Sequence, residues 1–237
     1  MLAKIYNLKI TYSILLLFLF CSSSFGSNIQ KDIIALENYL NSINNMSFIF
    51  EQIDKDNKKE TGWMVLQKPD KLRIEYKGEN DLIIFANSSY LVLYKAKDDI
   101  ITSLSNEGPW NILTQKYIKI SADKNNSDAN VYLKQTKKIL MEGKHYIIYD
   151  VLMKNEDHQF YAPILLYTST NPFQINGWKI DSNDNPVEVR IIKLLKFNEK
   201  EINSDIFFLS EKNRKEGKVW FSPFEKKVII RKPKHRN

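Results

Sequence analysis

The sequence predicts a mainly antiparallel β domain opened by one amphipathic helix, and three observations carry that prediction. Between Gln30 and Asn44, the apolar residues Ile33, Leu36, Leu40 and Ile43 recur at spacings of three, four and three, which draws one apolar stripe along a helix. From Met46 the period drops to two. Met46, Phe48, Phe50 and Gln52 fall on one side, and Ser47, Ile49, Glu51 and Ile53 on the other, as in a strand. Beyond that point, short β-prone runs alternate with turn-like clusters such as "NSS", "KNED", "TNP" and "DSNDNP".

Taken in order, the first 26 residues stand apart from the fold. "MLAKIYNLK" supplies a basic start with Lys4 and Lys9, "ITYSILLLFLFC" an apolar core, and "SSSFG" a small-residue site at Ser24-x-Gly26, the three parts of a secretory signal peptide. The apolar run falls short of the roughly 20 residues that a membrane span needs. Its removal leaves 211 residues and a net charge of +5, because that piece holds two lysines and no acids. Cys21, the only cysteine, follows Phe20 where a lipid-attachment signal wants a small residue, so the expected mature chain has no thiol and no disulfide.

After the helix and first strand, "DKDNKKE" reads as a polar hairpin loop leading into "GWMVLQKPDKLRIEY", Gly62 to Tyr76, two strands broken by a Lys-Pro-Asp turn. Further strands are predicted at Asp81 to Ala86, Tyr90 to Lys95, Val131 to Gln135, Tyr146 to Met153, Phe160 to Thr168, Gln174 to Asp181 and Val187 to Phe197. Between them, "GPWNILTQKYIKI" places Pro109 at a helix start with Trp110, Leu113 and Tyr117 on one face. The division that follows is a signal peptide at 1–26, a folded domain at 27–210, and a basic tail at 211–237 whose "EKKVIIRKPKHRN" reads as solvated.

With 43% hydrophobic and 12% aromatic residues, 237 residues suffice for one domain with a real core. The net charge of +7 does not point to nucleic acid, since lysines alternate with acids along the chain instead of forming stripes with stacking aromatics. Phosphate loops, nucleophile elbows and zinc helices are all missing from the sequence. His145, His158 and His235 lie far apart in the sequence with no metal-ligand spacing, and Asp98 with Asp99, or Glu156 with Asp157, reads as solvated turn charge. Neither an enzyme, a metal nor a cofactor is expected.

The phrase "FEQ" after the N-terminal helix, then "GWMVLQKPDKLRIEY", "DLIIFANSSYLVLY", "GPWNIL" and the late "NPFQINGWKIDSNDNPVEVRIIKL", resembles the LolA family of periplasmic outer-membrane lipoprotein carriers over roughly residues 30 to 209. Phe50 and Gln52 match the family's F-x-Q. Gly62 leads the strand that ends in the family's Arg-Pro, here Lys68-Pro69, and Leu72, Arg73, Ile74 and Tyr76 match the next, aromatic-rich strand. Asn87-Ser88 stands where the family has Asp-Gly, Tyr94 closes the following strand, Pro109 opens the short helix, and Gly177, Trp178, Ile180 and Asp181 match the late G-W-x-h-x-D.

That resemblance implies an incomplete antiparallel β-barrel whose concave apolar cavity is covered by the N-terminal helix and short helices. It implies a lipid-binding lining of Phe50, Met64, Leu66, Leu72, Ile74, Tyr76, Leu91, Leu93 and Trp178, with Met64, Leu66 and Lys68 pointing inward from one strand by its period of two. On pattern alone, the same alternation is simply a core under a helix. Lys68 takes the place of an arginine that latches the lid in the family; lysine keeps the charge and three donors but loses the planar fork, or else snorkels to water. The implied function is a soluble, monomeric periplasmic carrier. Its partners would be acylated lipoproteins as cargo, an ATP-driven inner-membrane releasing complex as donor, and an outer-membrane lipoprotein receptor as acceptor, with no nucleic acid. Two other readings of the fold stay open: a lipid-anchored lipoprotein receptor, LolB-like, and a periplasmic lipid-sensing regulator.

Overall fold

Helix α1, Ser23–Ser42, turns the three-four-three spacing into packing: Ile33, Leu36 and Leu40 are buried, as is Ile43 just past its end. It begins seven residues before the predicted start, so Ser24 to Gly26, the expected cleavage site, lie within it. The structure is a computed structural model, which describes residues 23–77, 82–87, 90–105, 110–141, 143–154, 163–180, 186–200 and 202–211. Lys4, Lys9, Cys21, Ser88, Pro109, Glu156, Asp157, His158, Asp181, His235 and the tail beyond residue 211 lie outside the described residues.

Among the described residues twelve strands follow: β1 Asn45–Ile53, β2 Lys59–Gln67, β3 Lys71–Lys77, β4 Leu82–Ala86, β5 Tyr90–Lys95, β6 Ile100–Ser105, β7 Ile120–Ser121, β8 Val131–Met141, β9 Lys144–Met153, β10 Ile164–Thr170, β11 Phe173–Ile180 and β12 Val187–Phe197. They form one curled, open sheet in the order β6-β5-β4-β3-β2-β1-β12-β11-β10-β9-β8-β7. Every pairing is antiparallel except the short parallel contact of β7 with β8. The chain thus runs outward from β1 to one edge, crosses to the other through a short helix α2, Asn111–Thr114, and returns until β12 pairs with β1.

The mainly antiparallel β class with a leading helix is therefore as predicted, with differences of detail. Strands β6 and β7 go beyond the predicted set: "IITSLS" leaves Ile100, Ile101 and Leu104 exposed, and "IS" is too short to show a period. The strand from Val131 continues to Met141 through lysines that face solvent. Tyr117 does not share a helix face with Leu113: α2 stops at Thr114, and Tyr117 is 59% exposed while Ile118 and Ile120 turn inward.

Both faces of the early half of the sheet are covered. The concave face carries the main core beneath α1. On the convex face Trp63 and Val65 pack with Ile206 and Phe207, and Ile83, Phe85 and Tyr94 with Leu209. The residues from Ile202 to Leu209, which include the 3-10 turn Ser204–Phe207, therefore form a strap across the outside of the sheet.

Candidate functional site

Antiparallel register lines the concave side chains into rows. Met46, Leu66, Leu72, Ala86 and Leu91 lie opposite one another across β1 to β5, and Phe48, Met64, Ile74, Ile84 and Leu93 form the next row. In a third row Phe50 and Tyr76 flank Gly62. A Cβ at Gly62 would run into the Phe50 ring, so glycine there lets that ring lean over and meet Tyr76 edge-on at 5.6 Å. Trp178 reaches in from β11 to meet Phe48 edge-on at 6.2 Å.

All nine expected lining residues thus lie in the one apolar cluster that also holds the buried stripe of α1. Tyr76 and Leu93 are half-buried at its margin and the other seven are buried. Tyr76 donates its hydroxyl proton to Gln52 Oε1 at 2.7 Å, which joins the F-x-Q glutamine to the lining. Burial, with Glu60 nearby, pushes the Tyr76 phenol pKa up, so it remains a donor.

Lys68 sits in the turn after β2 and not within the strand. Its Nζ nevertheless reaches back over the concave face and donates to the Leu40 carbonyl of α1 at 2.7 Å. That carbonyl is among the last four of the helix, where it also accepts the Ile43 N–H at 3.3 Å, and a cation there faces the negative end of the helix dipole. The same turn is tied on both sides: Lys68 N–H donates to Asn44 O at 2.8 Å, and Asp70 N–H to Thr114 O of α2 at 2.9 Å.

Lys68 is not the sole fastening of α1. Asn41 exchanges two hydrogen bonds with Ile118, Glu37 accepts from Ile120 N–H at 2.7 Å, and Asn198 donates to Ser42 O at 2.7 Å. Nearer the N-terminus, Asp32 pairs with Lys138 of β8 at 3.1 Å. Arg73, which sequence reading placed in a strand without a role, is buried on the convex face with Glu75 as its partner. Opposite charges two apart in "LRIEY", one strand face apart from the apolar set, were the available signal.

Burial lowers the Lys68 pKa to about 8 from the usual lysine value. Below pH 8 both folded and unfolded chains hold this proton, and the group gives no pH dependence. Between pH 8 and the higher unfolded value the unfolded chain holds it and the folded chain does not, so stability rises with pH across that window. The latch bond meanwhile loses its charge. We expect denaturation midpoints of wild type to gain on those of Lys68→Met as pH climbs from 7.5 to about 10. A difference that stays constant over that range would show that Lys68 is solvated.

Residues 41–144 match the family described as "Outer membrane lipoprotein carrier protein LolA". Over that span the chain is similar to LolA. The matched span holds eight of the nine lining residues and Lys68; Trp178 and the late G-W segment lie outside it. No curated protein matches the chain. Among solved structures, a LolA superfamily protein from Nitrosomonas europaea aligns over 75% of this chain and 97% of its own, at 9% identity and a TM-score of 0.39. A DUF1329 family protein from Desulfovibrio piger aligns over 75% and 95%, at 7% identity and 0.43. Both overlays are loose, and the likeness to LolA stands on the sequence match over 41–144. Among the described residues there is no helix long and apolar enough to cross a membrane, and no cluster of three or more potential metal ligands.

Proposed function

We propose that this LolA-like chain is a periplasmic carrier that takes up the acyl chains of lipoproteins released from the inner membrane and hands them to an outer-membrane receptor. Residues 1–26 direct export, 27–210 carry cargo, and the chain catalyses nothing. The observation that carries this reading is the seating of the apolar stripe of α1 on the concave lining, with Lys68 hydrogen-bonded to its last turn. A helix in that position is a plug that cargo can replace.

Magnitudes favour such an exchange. Uncovering the four apolar side chains of the stripe costs roughly 6 to 12 kcal/mol at about 1.5 to 3 each. One 16-carbon chain regains about 12 kcal/mol at 0.8 per methylene, so two or three chains outweigh the plug. The same numbers mean that a carrier cannot draw a triacylated protein from a bilayer unaided, and an ATP-driven releasing complex supplies that work. Acyl chains bind through apolar area with little directional bonding, which suits these aliphatic and aromatic rows.

Mass spectrometry of what copurifies with the exported protein tests the reading. Acylated lipoproteins in stoichiometric amount are the expected result, from a soluble fraction whose mature N-terminus lies near Ser27. Recovery of chain free of any acylated protein, under conditions where lipoproteins accumulate in the inner membrane, would sink it.

A further inference from the structure

The concave face holds a polar group that its neighbours leave unserved. Tyr149 of β9, in line with Leu166 of β10 and through it with Trp178 of β11, is fully buried within the main core. Its hydroxyl has no hydrogen-bond partner among the described residues. Buried hydroxyls are nearly always paired, and an unmade bond there opposes folding. Thr168, also fully buried, stands beside it but sends its own proton to the Ile147 carbonyl at 3.2 Å, and the two hydroxyls fall short of hydrogen-bond geometry.

The surroundings say what such a group could bind. Burial pushes the Tyr149 phenol pKa up, the charge of Asp32 on α1 adds to that, and Thr168 offsets it in part. The hydroxyl therefore stays neutral and keeps its proton to give. Asp32 belongs to the plug helix and is held by Lys138, so it leaves this wall when α1 does. What stays on the sheet is a neutral donor in an apolar wall, near Leu166 and Trp178. An anionic head would have to shed its water there, whereas a neutral carbonyl needs only one donor.

We propose that the Tyr149 hydroxyl donates to an ester or amide carbonyl at the head of a bound acyl chain. The idea rests on the carrier reading above, since it presumes that acyl chains occupy the concave face. Each chain attached through an ester or amide ends in such a carbonyl, so this contact fixes how deep one chain sits, while the apolar rows fix only how much of it is buried. The contact separates acyl chains from alkyl chains of equal length.

Two probes isolate it: dioctanoylglycerol, with ester carbonyls, and dioctylglycerol, its ether counterpart without them. Binding of each to the full chain is measured by displacement of an apolar fluorescent dye, for wild type and Tyr149→Phe. Wild type is expected to prefer the ester lipid by about fivefold to tenfold, and Tyr149→Phe to lose that preference while folding at least as stably. Equal affinity of wild type for both lipids overturns the proposal, as does a preference that survives in Tyr149→Phe or an equal loss of both lipids in that variant. Those outcomes leave the carrier reading standing. If wild type binds neither lipid, the acyl-chain reading falls and this one with it.

Discussion

Replacing Arg73 by alanine is expected to lower stability by about 3 to 5 kcal/mol, the usual consequence of removing one partner of a buried ion pair. Arg73 and Glu75 are almost fully shielded, and the guanidinium holds Glu75 Oε1 through Nη2 at 2.6 Å and Nε at 2.8 Å. Its Nη1 donates to the Ile206 carbonyl of the strap at 2.8 Å, and the group stacks over the Phe85 ring at 4.9 Å. Burial pulls the Arg73 pKa down and Glu75 pulls it back, so the guanidinium keeps its charge. Alanine strips Glu75 of its ion partner, leaves the Ile206 carbonyl without this donor, and opens a hole under Phe85. Chemical denaturation reads the loss, and limited proteolysis should cut first between residues 202 and 211. The double variant Arg73→Met with Glu75→Met is expected to recover most of the stability, because the desolvation of both charges disappears together. A loss under 1 kcal/mol in Arg73→Ala would mean that the apolar contacts of Ile206, Phe207 and Leu209 hold the strap alone.

Lys68→Leu is expected to slow release of acylated cargo to an acceptor by about tenfold to a hundredfold. The substitution removes a charged donor from the Leu40 carbonyl, a bond worth roughly 1.5 to 3 kcal/mol, and adds apolar surface beside the rows that face it. The closed form is weakened and the loaded form strengthened by one change. Lys68→Arg should act in the opposite sense, since a guanidinium can serve two carbonyls at once where the ammonium of Lys68 serves Leu40. Transfer of a labelled lipoprotein from each purified variant gives the rates, and an apolar dye reports access to the unloaded face. Identical rates and dye uptake in the three proteins would leave the closure of α1 to Asn41, Glu37 and Asn198.

The parts of this fold that were legible in the sequence are those whose partners are set by period. The strands Tyr90–Lys95 and Val187–Phe197 stand where their β-prone runs predict them, and the inward set Met46, Phe48 and Phe50 follows directly from alternation, because a buried face leaves one register acceptable. Contacts made by residues distant in sequence leave no such trace. Arg73 and Glu75 look like the wet side of a strand until Ile206 and Phe207, over 130 positions later, are laid over them. The reach of Lys68 to Leu40 was suggested only by likeness to a family, since a lysine beside proline reads equally well as solvated. Tyr149 shows why a site can be hidden altogether: "HYIIYDV" announces a buried strand, and nothing in it tells whether a phenol finds an acceptor.

The seam between β1 and β12 has a kinetic meaning. It joins Met46 to Phe197 and carries two register shifts, at Ser47/Phe48 and Ile49/Phe50, which sharpen the local twist. On either side of it, β1 to β6 and β8 to β12 are meanders in which each strand pairs with its neighbour in sequence, so each half can assemble from local contacts. The seam, like the strap that lies over Trp63 and Val65, must close a loop spanning most of the domain, and that entropy is paid last. Until then α1, though it precedes both meanders in the chain, lacks most of the partners that fasten it, since Ile118, Ile120, Lys138 and Asn198 all belong to later residues. The apolar rows of β1 to β5 are thus fully covered only when the later half arrives to hold the helix in place, so the covering of that face and the closing of the seam are one event in assembly.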